Sequence, residues 1–160
     1  MGQIGTIELK GENIFKGYWG MEEKTKESFK DDGFFITGDL AKKDENGYFT
    51  IVGRDKDMII SGGLNVYPKE IEDVINELPN ITESAVFGVQ HDDFGEAVVA
   101  AVVTTDDKND GSQILDYTKD KIAKYKQPKK IIFMSNLPRN SMGKVQKNKL
   151  RENNKSLFKS

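Results

Sequence analysis

The 160-residue chain has no cysteine and a single histidine, His91. The first absence removes disulfides and thiolate metal sites. The second leaves no basis for a histidine-rich metal centre and a poor one for a Ser-His-Asp triad; His91, in QHDDFGE, reads as a loop residue. Long apolar runs are missing too: the longest, Ala97 to Val103, is too short to cross a bilayer. The opening MGQIGTIELK lacks the apolar core of a signal peptide. No charge sign dominates, with 24 basic against 26 acidic residues and a formal net charge of -2, so the electrostatic footprint of a nucleic-acid binder is absent. Nor are there internal repeats or low-complexity segments. What is present is 36% hydrophobic and 31% charged, the balance of a soluble globular chain. A cytoplasmic location, with neither nucleic acid nor membrane as partner, is the default expectation. The length suits one domain, or one domain and part of another.

The first third is rich in glycine and short strands. GTIELK, Gly5 to Lys10, alternates as a strand, and Glu22 to Phe29 suits a short helix. DDGFFITGDLA predicts a turn at Asp31-Asp32-Gly33 and a short strand ending at Gly38-Asp39. Asn46-Gly47 is a strong hairpin signal before the apolar run Tyr48 to Val52. About fifty residues of short strands with exposed Phe15, Tyr18, Trp19, Phe34 and Phe35 make a marginal core unaided. From Lys56 the pattern changes to strand, Gly-Gly loop and helix. Pro68 suits a first helical turn, and Ile71, Val74, Ile75 and Leu78 form one apolar helical face. Glu83 to Val89 reads as a strand, and Ala97 to Thr104 as a strand buried on both faces. A polar loop, DDKNDG, precedes an amphipathic helix from Ser112 to Tyr125. KIIFM, Lys130 to Met134, is a further strand, and Asn148 to Leu157 suits a terminal helix. The class is α+β, with a small sheet backed by helices.

Three segments carry candidate chemistry. In PRNSMGKVQKNKL, Gly143-Lys144 resembles the end of a phosphate-binding loop, but that loop needs glycine where Pro138 stands and Ser or Thr where Val145 stands. By composition alone Lys144 is one solvated lysine among Lys147, Lys149 and Lys155. The aspartate of Thr37-Gly38-Asp39 suits a ribose diol, since one carboxylate accepts from two vicinal hydroxyls, and equally suits a turn. GRDKDMIISGGLN, Gly53 to Asn65, reads either as a charged hairpin or as a loop whose glycines let a ligand approach the backbone.

Together, in this order, these segments resemble the C-terminal part of the adenylate-forming (AMP-binding) enzymes: acyl-CoA synthetases, firefly luciferase and peptide-synthetase adenylation domains. ITGDLA is similar to the family's ribose-binding motif, GRDKDMIISGGLNVYPKEIE to its hinge-and-loop motif, LPRNSMGKVQKNKL to its terminal lysine motif, and GTIELKGENIFKGYW to the segment preceding them. The resemblance covers essentially the whole chain. Within the family it is strongest to malonyl-CoA synthetases, on DGFFITGDLAKKDENGYFTIVGRDKDMIISGGLNVYPKEIE, ESAVFGVQHDDFGEAV and YKQPKKIIFMSNLPRNSMGKVQKNKLR.

The resemblance implies a set of roles. Asp39 and Arg54 contact the ribose of ATP, Lys56 is a hinge, Gly62 and Gly63 line the pantetheine channel of CoA, and Lys144 catalyses adenylation. No residue of the chain is a metal ligand; Mg²⁺ and most of ATP belong to a large N-terminal domain not found here, as does the pocket for the carboxylic acid. Residues 1–53 are then the end of that domain, 54–57 the hinge and 58–160 a mobile C-terminal domain. Met1-Gly2-Gln3 falls where the family continues upstream, so a fragment without ligase activity of its own is expected. The alternatives are a ligase that loads a carrier-protein phosphopantetheine arm, and a stand-alone binding module. The same resemblance implies a protein acetyltransferase acting on Lys144, and the exposed aromatics suggest a dimer.

Overall fold

The computed structural model describes residues 2–106 and 110–159, so Met1 and residues 107–109 of the expected DDKNDG loop lie outside the described residues. The chain divides into two compact units, Met1–Lys56 and Asp57–Ser160.

In the first unit, β1 (Ile4–Leu9), β2 (Phe35–Lys43) and β3 (Phe49–Arg54) form an antiparallel sheet in that order, with helix α1 (Glu22–Ser28) between β1 and β2 in sequence. The Asn46-Gly47 turn closes as expected. Asp44 Oδ1 accepts from the N–H groups of Asn46 (2.9 Å) and Tyr48 (2.8 Å). One expectation fails here. Strand β2 does not end at Gly38-Asp39 but runs through it to Lys43. A bulge makes this possible: pairing passes from Glu8↔Ile36 to Thr6↔Leu40, so Thr37, Gly38 and Asp39 are looped out against Ile7. The Thr37 hydroxyl ties the bulge down, donating to Ile7 O (2.8 Å) and accepting from Asp39 N–H (3.0 Å). The aromatics differ too. Phe35 packs with Phe15 and Phe29 at centroid distances of 5.1 and 5.3 Å, and both Phe34 and Phe35 are half-buried rather than exposed. Trp19 remains fully exposed.

The second unit holds β4 (Ile59–Ser61), β5 (Leu64–Val66), α2 (Pro68–Ile75), β6 (Ile81–His91), β7 (Gly95–Thr104), α3 (Ser112–Lys119), β8 (Lys130–Phe133) and α4 (Lys147–Asn153). Its sheet has five strands, ordered β5-β4-β7-β6, with β8 pairing parallel to β7. Strand β7 is the axis. One edge pairs with β6 from Glu83↔Val103 to His91↔Gly95; the other is shared by β4 at Gly95 and β8 at Val99–Val102. Residues Ala97 to Val102 are completely buried, as a strand covered on both faces must be. Alternation divides them. Val98, Ala100 and Val102 face Ile71 and Ile75 of α2 and Ile114 of α3, while Val99 and Ala101 face Phe87, Leu137 and Leu150 of α4. The α+β class stands, with helices on both sides of the sheet.

Helix α3 stops at Lys119, short of the Tyr125 that periodicity predicts. Ile122 still reaches the core, but Ala123 is extended (ψ 145°) and a 3-10 turn, Lys124–Lys126, carries the chain to β8. The Gln127 amide donates to the carbonyls of Lys119 (3.4 Å) and Ile122 (3.2 Å), supplying partners that a continued helix would have provided. Helix α4 likewise ends at Asn153 rather than Leu157. His91 is not a loop residue. It ends β6, paired with Gly95, and its ring lies 4.8 Å from Phe94 and 5.2 Å from Phe158. Just beyond α2, Glu77 receives Lys121 and the Tyr117 hydroxyl, which hold its carboxyl below the ordinary glutamate range. No helix among the described residues is long and apolar enough to cross a membrane.

Candidate functional site

The bulge in β2 presents Asp39 directly opposite Arg54, the last residue of β3. Arg54 Nε lies 2.7 Å from Asp39 Oδ1, with the aspartate the less exposed of the two. Arg54 occupies one of roughly four lone-pair positions of the carboxylate, and a vicinal diol can use others. The guanidinium keeps further donors for the same ligand. These two sequence-predicted residues are therefore brought together. Lys56 is exposed, in the 3-10 turn Asp55–Asp57 where the first unit ends. Within the second unit, Asp57 is held to α4 by Arg151 (3.3 Å).

Gly62 and Gly63 are the two central residues of a β4–β5 hairpin, with Ser61 paired to Leu64. Their φ angles of 59° and 77° are both positive, the requirement of a type I′ turn, which is why two glycines stand here. The sequence indicated a loop but not the strand β5 after it; three residues are too few to register as a pattern. A Cβ at either glycine meets nothing within 4 Å, so the turn stands clear of the unit's own atoms. It is fastened at the start of β7 by the Ser61↔Gly95 pairing, whose Gly62 N–H donates to Phe94 O (2.8 Å), and by Ile60 N–H donating to the Glu96 carboxylate (2.8 Å).

Lys144 closes a tight loop. Arg139 and Val145 form a β-bridge, and Asn140 N–H donates to Lys144 O (3.0 Å). The Asn140 side-chain oxygen accepts from the N–H groups of Met142 (3.0 Å) and Lys144 (2.9 Å). Gly143, at φ 76°, completes the turn. Lys144 is exposed and forms none of the ion pairs seen among the described residues, whereas its neighbours Lys147 and Lys155 pair with Glu72 and Glu152.

The two loops sit at opposite ends of one strand pair. The Gly62-Gly63 hairpin adjoins the His91–Gly95 end of β6–β7; the Lys144 loop adjoins Glu83, at the other end, through Arg139. Glu83 and His91 are eight positions apart on β6, about 26 Å of extended chain. Neither loop can reach the other's position while the unit stays rigid. Sequence reasoning missed the residues that hold these loops, Glu96, Arg139, Asn140 and Glu83, because each acts on a partner distant in sequence or on its own loop's backbone. Among the described residues no group of three or more His, Asp or Glu could hold a metal.

Residues 70–144 match the family described as the AMP-binding enzyme C-terminal domain. Long-chain-fatty-acid–CoA ligase FadD13 of Mycobacterium tuberculosis is 45% identical over 148 residues, 92% of this chain and 29% of that protein. Malonate–CoA ligase of Arabidopsis thaliana is 38% identical over 161 residues, 93% of this chain and 26% of that protein. Among solved structures, ATP-bound MatB from Rhodopseudomonas palustris superposes with a TM-score of 0.92 at 58% identity, covering 99% of this chain and 32% of that one. The chain thus spans about 30% of the length of such relatives.

Proposed function

Since the chain belongs, through residues 70–144, to the AMP-binding enzyme C-terminal domain family, we propose that it serves as the C-terminal part of an AMP-forming acyl-CoA ligase. In this reading the carboxylate oxygen attacks the α-phosphorus of ATP and pyrophosphate leaves; the CoA thiol then attacks the acyl carbon of the adenylate, giving up its proton as AMP leaves. The chain's own residues do the following. Asp39 and Arg54 hold the ribose: the bulge aims the carboxylate at a diol, and the arginine fixes its orientation. Lys144 places an ammonium where the acid's carboxylate meets the α-phosphate, two anions that repel. A compact point charge on a long stem suits that task, and a loop closed by Asn140 presents it at low cost in ordering. Gly62 and Gly63 offer a bare backbone turn beside which a pantetheine chain can pass. Lys56, between the two units, is the hinge, with 1–53 and 58–160 moving as separate bodies.

One observation carries this reading: the unpaired lysine and the bare glycine turn stand at opposite ends of a rigid strand pair. Two half-reactions at one centre then require the unit to turn, presenting one end and then the other. Mg²⁺ would neutralise the ATP phosphates, held mainly outside this chain. The relatives support a CoA ligase without fixing the acid, because proteins named for a long-chain fatty acid and for malonate both match this segment. Malonate is the acid we favour, on the wording shared with malonyl-CoA synthetases. A cytoplasmic enzyme of acyl or fatty-acid metabolism follows from the same reading. Acetylation of Lys144 would remove its charge and with it the first half-reaction.

The test is a graft. This chain replaces the corresponding segment of Rhodopseudomonas palustris MatB, and the two half-reactions are measured separately with that enzyme's own acid. Lys144→Ala is expected to abolish adenylate formation and to spare thioester formation from preformed acyl-adenylate. Full adenylation by the Lys144→Ala graft would overturn the assignment. The chain alone, given malonate, ATP and CoA, is expected to release no AMP.

A further inference from the structure

Arg139 is the only side chain among the described residues that hydrogen-bonds the 139–145 loop to the sheet. Nη2 pairs with the Glu83 carboxylate on β6; Nη1 donates to the carbonyl of Gly143, the residue before Lys144, at 2.7 Å. The remaining polar links of the loop are internal: Asn140 N–H to Lys144 O, Gly143 N–H to Asn140 O, and the two N–H groups received by the Asn140 side chain. These define the loop's shape but not its angle to the sheet. Val145 packs against the sheet's apolar core, and apolar contact is non-directional. The guanidinium fork is directional: its donors are fixed in one plane, and two of them span a strand carboxylate and a loop carbonyl.

We propose that Arg139 is a positioning residue, a two-ended clamp from β6 to the Gly143 carbonyl that sets the direction in which Lys144 leaves the unit. The catalytic consequence rests on the adenylation role proposed for Lys144; the clamp itself does not. Both partners are partly exposed, at 44% for Arg139 and 27% for Glu83. The pair therefore adds little to stability, and its contribution is geometric. Lysine cannot replace the arginine, because one ammonium cannot hold both acceptors in the same fixed fork.

The experiment has two arms. In the first, amide hydrogen exchange is followed by NMR on the 160-residue chain. Arg139→Ala and Arg139→Lys are expected to speed exchange at Gly143 and Lys144 about tenfold, leaving the β6–β7 amides unchanged. Glu83→Gln, which keeps an acceptor for Nη2, should recover most of the protection lost in Glu83→Ala. Unchanged loop exchange in Arg139→Ala overturns the clamp; if that variant does not fold, Glu83→Ala gives the same reading with the arginine in place. In the second arm, the grafted enzyme carrying Arg139→Lys is expected to lose adenylation by up to ~100-fold, at unchanged thioester formation from preformed adenylate. Equal loss in both half-reactions, or loss in neither, overturns the positioning role. Loosened exchange in Arg139→Ala beside full adenylation by the Lys144→Ala graft would leave the clamp standing and remove the function assigned to the lysine.

Discussion

A Cβ placed on Gly88 would lie 2.5 Å from the Glu96 carboxylate and 3.1 Å from Ile59 Cγ2. This glycine is needed for room, not for its backbone angles. The carboxylate that fills the space is the acceptor for Ile60 N–H, the side-chain bond that helps fasten the Gly62-Gly63 hairpin. Gly88→Ala is therefore expected to destabilise the chain by about 1–3 kcal/mol and to speed exchange of the Ile60 amide. Denaturant titration and NMR exchange read both effects; an unchanged midpoint with a protected Ile60 would mean the carboxylate swings aside freely. The contrast with Gly62-Gly63 explains what the sequence could reveal. Two adjacent glycines at a turn signal a backbone need that is local. The need at Gly88 comes from Glu96 across the ladder, and nothing beside Gly88 announces it. Asp39 is similar: its residue type suggested a diol ligand or a turn, while its pairing with Arg54 came from a bulge opposite Ile7, invisible to a period-two reading.

Elements are joined by a few ion pairs that act as ties between helices and strands. Glu72 of α2 accepts from Val86 N–H of β6 (2.8 Å) and pairs with Lys147 at the start of α4 (2.6 Å), with both side chains mostly buried. One carboxylate thus connects helices on the two sides of the sheet. Lys147→Ala should cost about 2 kcal/mol by leaving that charge under-satisfied; a change below about 0.5 kcal/mol in the unfolding midpoint would show that solvent replaces the lysine. Glu77 ties the end of α2 to Lys121, just past α3, with its pKa lowered first by the Lys121 bond and then by Tyr117. A depressed carboxylate contributes stability above its unfolded pKa and loses it as pH falls through the lower folded value. The contribution should therefore fade on the acid side of the ordinary glutamate value of 4.5. Glu77→Gln should flatten that limb of a stability–pH curve while leaving the neutral region parallel to wild type. Helix α2 was legible because its apolar face and Pro68 agree. Helix α3 was over-read because Ile122 keeps helical spacing although the backbone has already turned, and Gln127 makes that turn affordable.

Across the whole molecule, the deepest burial lies in one place. Val86, Phe87 and Ala97 to Val102 are fully enclosed, while the first unit exposes Trp19, Tyr48, Phe49 and Ile51. The slowest-exchanging amides are expected in β6 and β7, reporting the largest opening free energy; equally slow amides throughout β1–β3 would contradict this. The two units divide after Lys56, and the sequence pattern changes at the same place, from glycine-rich hairpins to longer apolar runs. The linkage of the loops to opposite ends of β6–β7 was not legible in that pattern, since it depends on which residues pair across the sheet. That pair of strands behaves mechanically as a lever. Over about 26 Å, each degree of tilt at one end becomes roughly half an ångström at the other. A soft strand would blur that transmission, and an alignment error of about an ångström is costly to a reaction. The dense burial of β7 on both faces is thus a stiffness specification: mutations that leave both loops intact but soften the middle of the lever should degrade its aim at both ends.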